Sequence, residues 1–169
     1  MLEVAGPPGS GRRVVVFDLL EELLAGGSGV YVDLAGSVKR AVASGRVRPG
    51  EGPWARLSVY REASAEGLVS LALSGTVKVL VLDSLPRLLY GVEAGRRGRW
   101  GCAAAVLSAM LAGARSGLCS IVVNYASGGR SFGDAVFTHY FTHRLLVERG
   151  EAGIVARLVY PVPLELQWR

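Results

Sequence analysis

Leu2-Glu3-Val4-Ala5-Gly6-Pro7-Pro8-Gly9-Ser10-Gly11-Arg12-Arg13 is the stretch that decides the fold of this chain. Residues 2–5 predict a short strand that runs directly into a glycine-rich turn, 6–11. Residues 12–25 follow, with Val15, Val16, Leu19, Leu20, Leu23 and Leu24 spaced for one face of a helix. Gly26 and Gly27 supply the stop. Outward from this unit the alternation of strand and helix continues. Residues 30–34 predict a second strand and 38–43 a short helix. A polar loop with two prolines, 46–53, precedes a strand over 56–60. A helix over 63–73 then leads to 77–82, an apolar run of the kind that parallel sheets bury.

After Asp83 the pattern breaks. Residues 84–100 hold one proline, three glycines and five charges, and predict an irregular or partly helical connection. A small-residue helix over 102–114, a buried strand over 118–125 and a flexible loop with three glycines over 126–133 come next. Residues 144–148 and 154–160 predict a hairpin around 150–153, and 164–168 a last strand. Strands alternating with helices in this way predict an α/β fold. Its sheet is mostly parallel, twisted and flanked by helices, with a C-terminal antiparallel hairpin. No internal repeat and no second domain is visible.

Composition narrows the classes. A chain of 169 residues, half of them apolar, suits one α/β domain with an adequate core. Its apolar runs are far too short to span a bilayer, and residues 1–4 lack the basic and apolar regions of a signal peptide. The expected location is therefore cytoplasmic. Cys102 and Cys119 match no zinc spacing and are expected to be buried free thiols. Basic residues outnumber acidic ones 19 to 14, for a net charge of +5, and all but Lys39 and Lys78 are arginine. That balance permits nucleic-acid binding without demanding it.

The turn at 6–11 invites comparison with a P-loop, Gly-x-x-x-x-Gly-Lys-Ser/Thr between strand and helix. There the glycines let backbone N–H groups wrap phosphates, lysine reaches the β/γ-phosphates and the hydroxyl binds Mg²⁺. Gly6 and Gly11 are correctly spaced, with Gly9 between them, but Arg12 holds the lysine position and Arg13 the hydroxyl position. Two arginines opening a helix oppose its dipole unless something anionic sits there. A nucleotide phosphate, a sulfate, a nucleic-acid phosphate or the Asp83 carboxylate would serve. Asp83 is favoured because it needs no ligand, and a direct arginine–Asp83 contact is the expectation.

With these motifs in place, the chain resembles the RecA/RadA recombinase family over its full length, and especially its recombinase paralogues. Val77-Lys78-Val79-Leu80-Val81-Leu82-Asp83-Ser84 resembles the family's Walker B strand. Val30-Tyr31-Val32-Asp33-Leu34-Ala35-Gly36-Ser37 resembles the strand that usually ends Asp-Thr-Glu-Gly. Ser120-Ile121-Val122-Val123-Asn124-Tyr125 resembles the strand that usually ends Thr-Asn-Gln, and His143-Arg144-Leu145 with Ala156-Arg157-Leu158 the C-terminal hairpin. The resemblance implies a RecA-like P-loop core, here comprising residues 1–169 as a single domain. On that resemblance the expectation is a core without the N-terminal domain and the polymerisation linker of full recombinases.

The resemblance also shows what has changed. Ala35 stands where the family has the glutamate that activates water, and Tyr125 where it has the glutamine that senses the γ-phosphate. With Arg12 and Arg13, four ATP-handling positions have altered chemistry, and Asp83 alone remains of the polar set. The expectation is a degenerate ATPase core that is not an enzyme and needs no cofactor.

Arg96-Arg97-Gly98-Arg99-Trp100 falls where the family carries its first DNA-binding loop, and Arg130 where it carries the second. Arginines grip phosphates while tryptophan offers a face to a base. A solvated basic loop with Trp100 packed into the core is the equal alternative. His139 and His143 would share a helix face only if 137–143 were helical, and no third metal ligand is near. Asp33 and Asp134 have no partner that would mark a catalytic pair. Two function classes follow. One is a non-catalytic recombinase paralogue that binds single-stranded or other DNA together with a recombinase or second paralogue subunit. The other is a structural RecA-fold subunit with no direct nucleic-acid role.

Overall fold

Strands buried on both faces must be apolar at every position rather than at alternate ones. Gly29–Asp33 (β2) and Val79–Asp83 (β4) meet that requirement up to their closing aspartates and are buried along their whole length. The computed structural model describes residues 1–93 and 95–168. Among these, the remaining strands are Leu2–Gly6 (β1), Leu57–Tyr60 (β3), Cys119–Ser127 (β5), Arg130–Ser131 (β6), His143–Gly150 (β7), Gly153–Tyr160 (β8) and Leu164–Trp168 (β9). The sheet order is β3-β2-β4-β5-β1-β7-β8-β9, with β6 paired only to β5. Every pairing from β3 across to β7 is parallel, and β7, β8 and β9 are antiparallel. The α/β architecture with its C-terminal hairpin is therefore as the sequence predicts, and it is consistent with a RecA-like core.

Alternate side chains of the central strands feed two cores. On one face Tyr31, Val81, Ile121 and Val123 pack with Val15, Phe17 and Leu20 of helix α1 (Arg12–Ala25), with Ala41 of α2 (Ser37–Ala43) and with Trp54. On the other, Val32, Leu80, Leu82 and Val122 pack against three further helices. These are α3 (Ala65–Leu73), α4 (Leu85–Gly91) and α5 (Arg96–Arg115). Full burial of a leucine such as Leu80 contributes roughly 1.5–3 kcal/mol, so the two cores carry the stability.

Two segments differ from the sequence reading. Residues 84–100, expected to be irregular or partly helical, are more helical than that reading, and Ala94 within them lies outside the described residues. Leu85, Leu88 and Leu89 give α4 an apolar face, and Pro86 sits in its first turn, where a missing N–H costs nothing. Glycine and charge content masked that short periodicity. Residues 126–133 form a hairpin rather than a loop. β5 runs on to Ser127, Gly128 and Gly129 turn with φ of 57° and 77°, and β6 returns.

Candidate functional site

Ligands of open α/β sheets bind beyond the carboxyl ends of the parallel strands. Here those ends bring together the Gly6 turn of β1, Asp33 of β2, Asp83 of β4 and Tyr125 of β5. Asp33 stands in register with Asp83, and Gly6 with Tyr125. The turn needs its glycines for space as well as for backbone freedom. A Cβ at Gly6 would collide with the Val147 carbonyl and Ser10. At Gly11, φ is 89° and a Cβ would run into Ile154.

Arg12 folds back onto the turn that precedes it. Its Nη1 donates to the carbonyl oxygens of Gly6 and Pro7, both at 2.7 Å, so the guanidinium straps the loop from within. Burial lowers the affinity of Arg12 for its proton and the charge of Arg13 lowers it further, while Asp83 opposes both. Arg13 points the other way, towards β4. Its Nε donates to Asp83 Oδ2 at 2.8 Å and its Nη2 to Oδ1 at 3.0 Å, a two-pronged pair. The expected arginine–Asp83 contact is thus present, and Arg13 makes it.

Asp83 is completely buried, and an ionised carboxylate there is costly unless its lone pairs are used. Four hydrogen bonds reach them, three on Oδ2 and one on Oδ1. Besides Arg13, the Tyr31 hydroxyl donates to Oδ2 at 2.8 Å and the Ser37 hydroxyl donates to the same oxygen. Burial works against the charge of Arg13, but its hydrogen bond and charge attraction to Asp83 prevail and raise its pKa. Burial, and then the Asp83 charge, push the Tyr31 phenol well up. Asp33 has a separate task. Its carboxylate accepts from Ser37 N at 2.7 Å and Val38 N at 2.9 Å, which seats the start of α2.

The residues at this corner do not fit Mg²⁺·ATP. The position that needs a neutral hydroxyl carries a guanidinium, and that cation already neutralises the one carboxylate able to hold a metal-bound water. A divalent ion would face like charge and would have to displace four hydrogen bonds from Asp83. Ala35 has no group to take a proton. Tyr125, 38 % exposed, presents a phenol at this corner.

The arginine cluster is helical. Arg96, Arg97 and Arg99 occupy the first turn of α5, which has no acidic residue and no side-chain cap. Trp100 is stacked on Phe137, with ring centroids 5.0 Å apart, and on Phe132 at 6.0 Å. Its stacking is taken up by the protein, as the packed alternative anticipates. Arg130 is exposed on the β5–β6 hairpin. His139 lies in a 3-10 turn and His143 opens β7, so no helix presents them together. Among the described residues, no three His, Cys, Asp or Glu side chains gather as metal ligands. Cys102 and Cys119 are free thiols, each half-buried. No helix among the described residues is long and apolar enough to cross a membrane.

Sequence reasoning missed a second polar cluster. Glu3 of β1 is fully buried and paired with Arg144 of β7, its neighbour in register. Asn124 Nδ2 donates to Glu3 Oε1 at 2.7 Å and to the Phe132 carbonyl at 3.0 Å. Arg144 Nη2 reaches Asp134 at 2.7 Å, giving that aspartate a partner, and the guanidinium lies 5.4 Å from the Tyr160 ring centroid. The available signal was an acid in one apolar strand and a base in another. Strand order, which makes them neighbours, was not legible.

No protein-family model matches the chain, and no curated protein matches it.

Proposed function

We propose that this chain is a non-catalytic RecA/RadA-like recombinase paralogue. It binds DNA and a partner, either a RecA-like recombinase or a second paralogue subunit, and assists homologous recombination and DNA repair in the nucleoid. The observation that carries the non-catalytic part is the Arg13–Asp83 pair, which puts a fixed internal cation where a P-loop enzyme recruits Mg²⁺. Ala35 supports it, because a methyl group neither accepts a proton nor orients water. The exposed arginines at the start of α5 support the DNA part.

Purified protein is expected to show no ATP hydrolysis above background, with or without DNA, and no thermal stabilisation by Mg²⁺·ATP. Ala35→Glu alone is expected not to restore activity. Clear turnover that Asp83→Ala abolishes would overturn the proposal. Packing of Trp100 among phenylalanines favours a second reading, a structural RecA-fold subunit of another complex without a nucleic-acid role. A gel shift with single-stranded DNA across a salt series separates the two. DNA binding predicts a logarithmic salt slope of roughly −0.7 per phosphate contacted, reduced when Arg96, Arg97 and Arg99 all become alanine.

A further inference from the structure

Tyr90, Phe132, Trp100, Phe137 and Tyr140 form a continuous row of five aromatic rings. Tyr90 at the end of α4 contacts Phe132 with centroids 6.4 Å apart, Phe132 stacks on Trp100, and Trp100 stacks on Phe137. Phe137 within the row is completely buried, whereas Tyr90 at its outer end is 65 % exposed. A single exposed tyrosine needs no explanation. This one is different because its ring leans at 45° on Phe132, the outer member of a stack with Trp100 and Phe137, and a ring braced in this way loses less entropy when something lies on it.

The charges around that exposed end are mostly positive. Arg87 precedes Tyr90 by three residues on α4, and Arg96 and Arg97 precede Trp100 by four and three on α5. Residues three and four apart share a helix face, so these arginines border the row. Arg87, Arg96, Arg97 and Arg130 are exposed, and none joins an ion pair among the described residues. Glu93 is the one acidic residue between positions 84 and 100.

We infer that Tyr90 is a base-stacking residue for single-stranded nucleic acid, with Arg87, Arg96 and Arg97 holding the flanking phosphates. The inference rests on the DNA-binding reading above and names the strand type and the contact. A ring that offers its face needs an unpaired base, because bases in a duplex already stack on their neighbours. Trp100, the aromatic nearest the arginines in sequence, is the support of this platform rather than its surface.

Fluorescence anisotropy with labelled oligo(dT), and with an abasic oligonucleotide of equal length, tests this directly. Tyr90→Ala is expected to weaken oligo(dT) binding about five- to hundredfold, the range for loss of one stacked base. The same variant should leave abasic-strand binding unchanged, and Tyr90→Phe should retain both. Combined Arg87→Ala, Arg96→Ala and Arg97→Ala should weaken both strands alike. Equal effects of Tyr90→Ala on the two strands, or none on either, would overturn the stacking role while leaving DNA binding in place. Wild-type protein that binds neither strand would overturn the DNA-binding reading and this inference with it. Thermal melts of each variant check the fold, which an exposed Tyr90 should not govern.

Discussion

Arg144 meets Glu3 across adjacent strands of the sheet, whereas Arg13 reaches Asp83 from the first turn of a helix. Both carboxylates are wholly buried, yet the arginines differ in their freedom. The Arg144 side chain is 8 % exposed and the Arg13 side chain 29 %. Arg144 is held by Glu3, Asp134 and Thr138 together, so it has nowhere to turn. Arg13 holds Asp83 alone and lies beside solvent. The first pair fastens β7 to β1 in the interior of the fold. The second sits at the carboxyl ends of the parallel strands, where such folds bind ligands. Burial of a charge pair therefore does not by itself mark a site; its place in the topology does.

The largest expected effect follows from removing the enclosed arginine. Arg144→Ala leaves Glu3 without its counter-ion and should cost about 3–5 kcal/mol. Burial already pushes the Glu3 carboxyl up against the pull of Asn124 and Arg144, and the neutral hydrogen bond from Asn124 does not replace the lost charge. Urea denaturation measures this, and a loss under about 1 kcal/mol would put Arg144 with ordinary surface pairs. Asp83→Ala should cost less, about 2 kcal/mol, because Arg13 can swing outward while Tyr31 and Ser37 lose an acceptor. A reversed order of the two variants would break the distinction between enclosed and open pairs.

The smallest effect concerns acid. Burial alone would raise the Asp134 carboxyl, but Thr138 and Arg144 outweigh it and hold the group below its ordinary value of 3.8. Its contribution is therefore complete above that value and disappears as the pH falls through the depressed one. Asp134→Asn should flatten the acid limb of the stability profile in that window and leave it unchanged near neutrality. An unaltered acid limb would show that Arg144 does not depend on Asp134.

Element types were legible because each depends on local pattern. Helix α1 and the last strand β9 coincide with the residues that periodicity assigns. The short helix α4 was hidden because seven residues carry only three apolar positions, among glycines and arginines that speak for a loop. At the phosphate corner the substitutions Arg12, Arg13 and Ala35 were plain in sequence, and so was the need for an anion. Tyr31 and Ser37 as partners of Asp83 were not. Tyr31 reads as one more apolar strand residue until β2 is placed beside β4.

The sequence by itself determined the α/β alternation, the glycine turn before a helix, and the two arginines that open that helix. These reside in residue identity and spacing along one stretch of chain. Tertiary structure alone decided that Arg13 rather than Arg12 takes Asp83, that Glu3 and Arg144 are neighbours, and that Trp100 lies inside an aromatic row while Tyr90 stands at its exposed end. Each depends on which strands and helices lie side by side, and side-chain reach then selects among partners that sequence distance leaves equivalent.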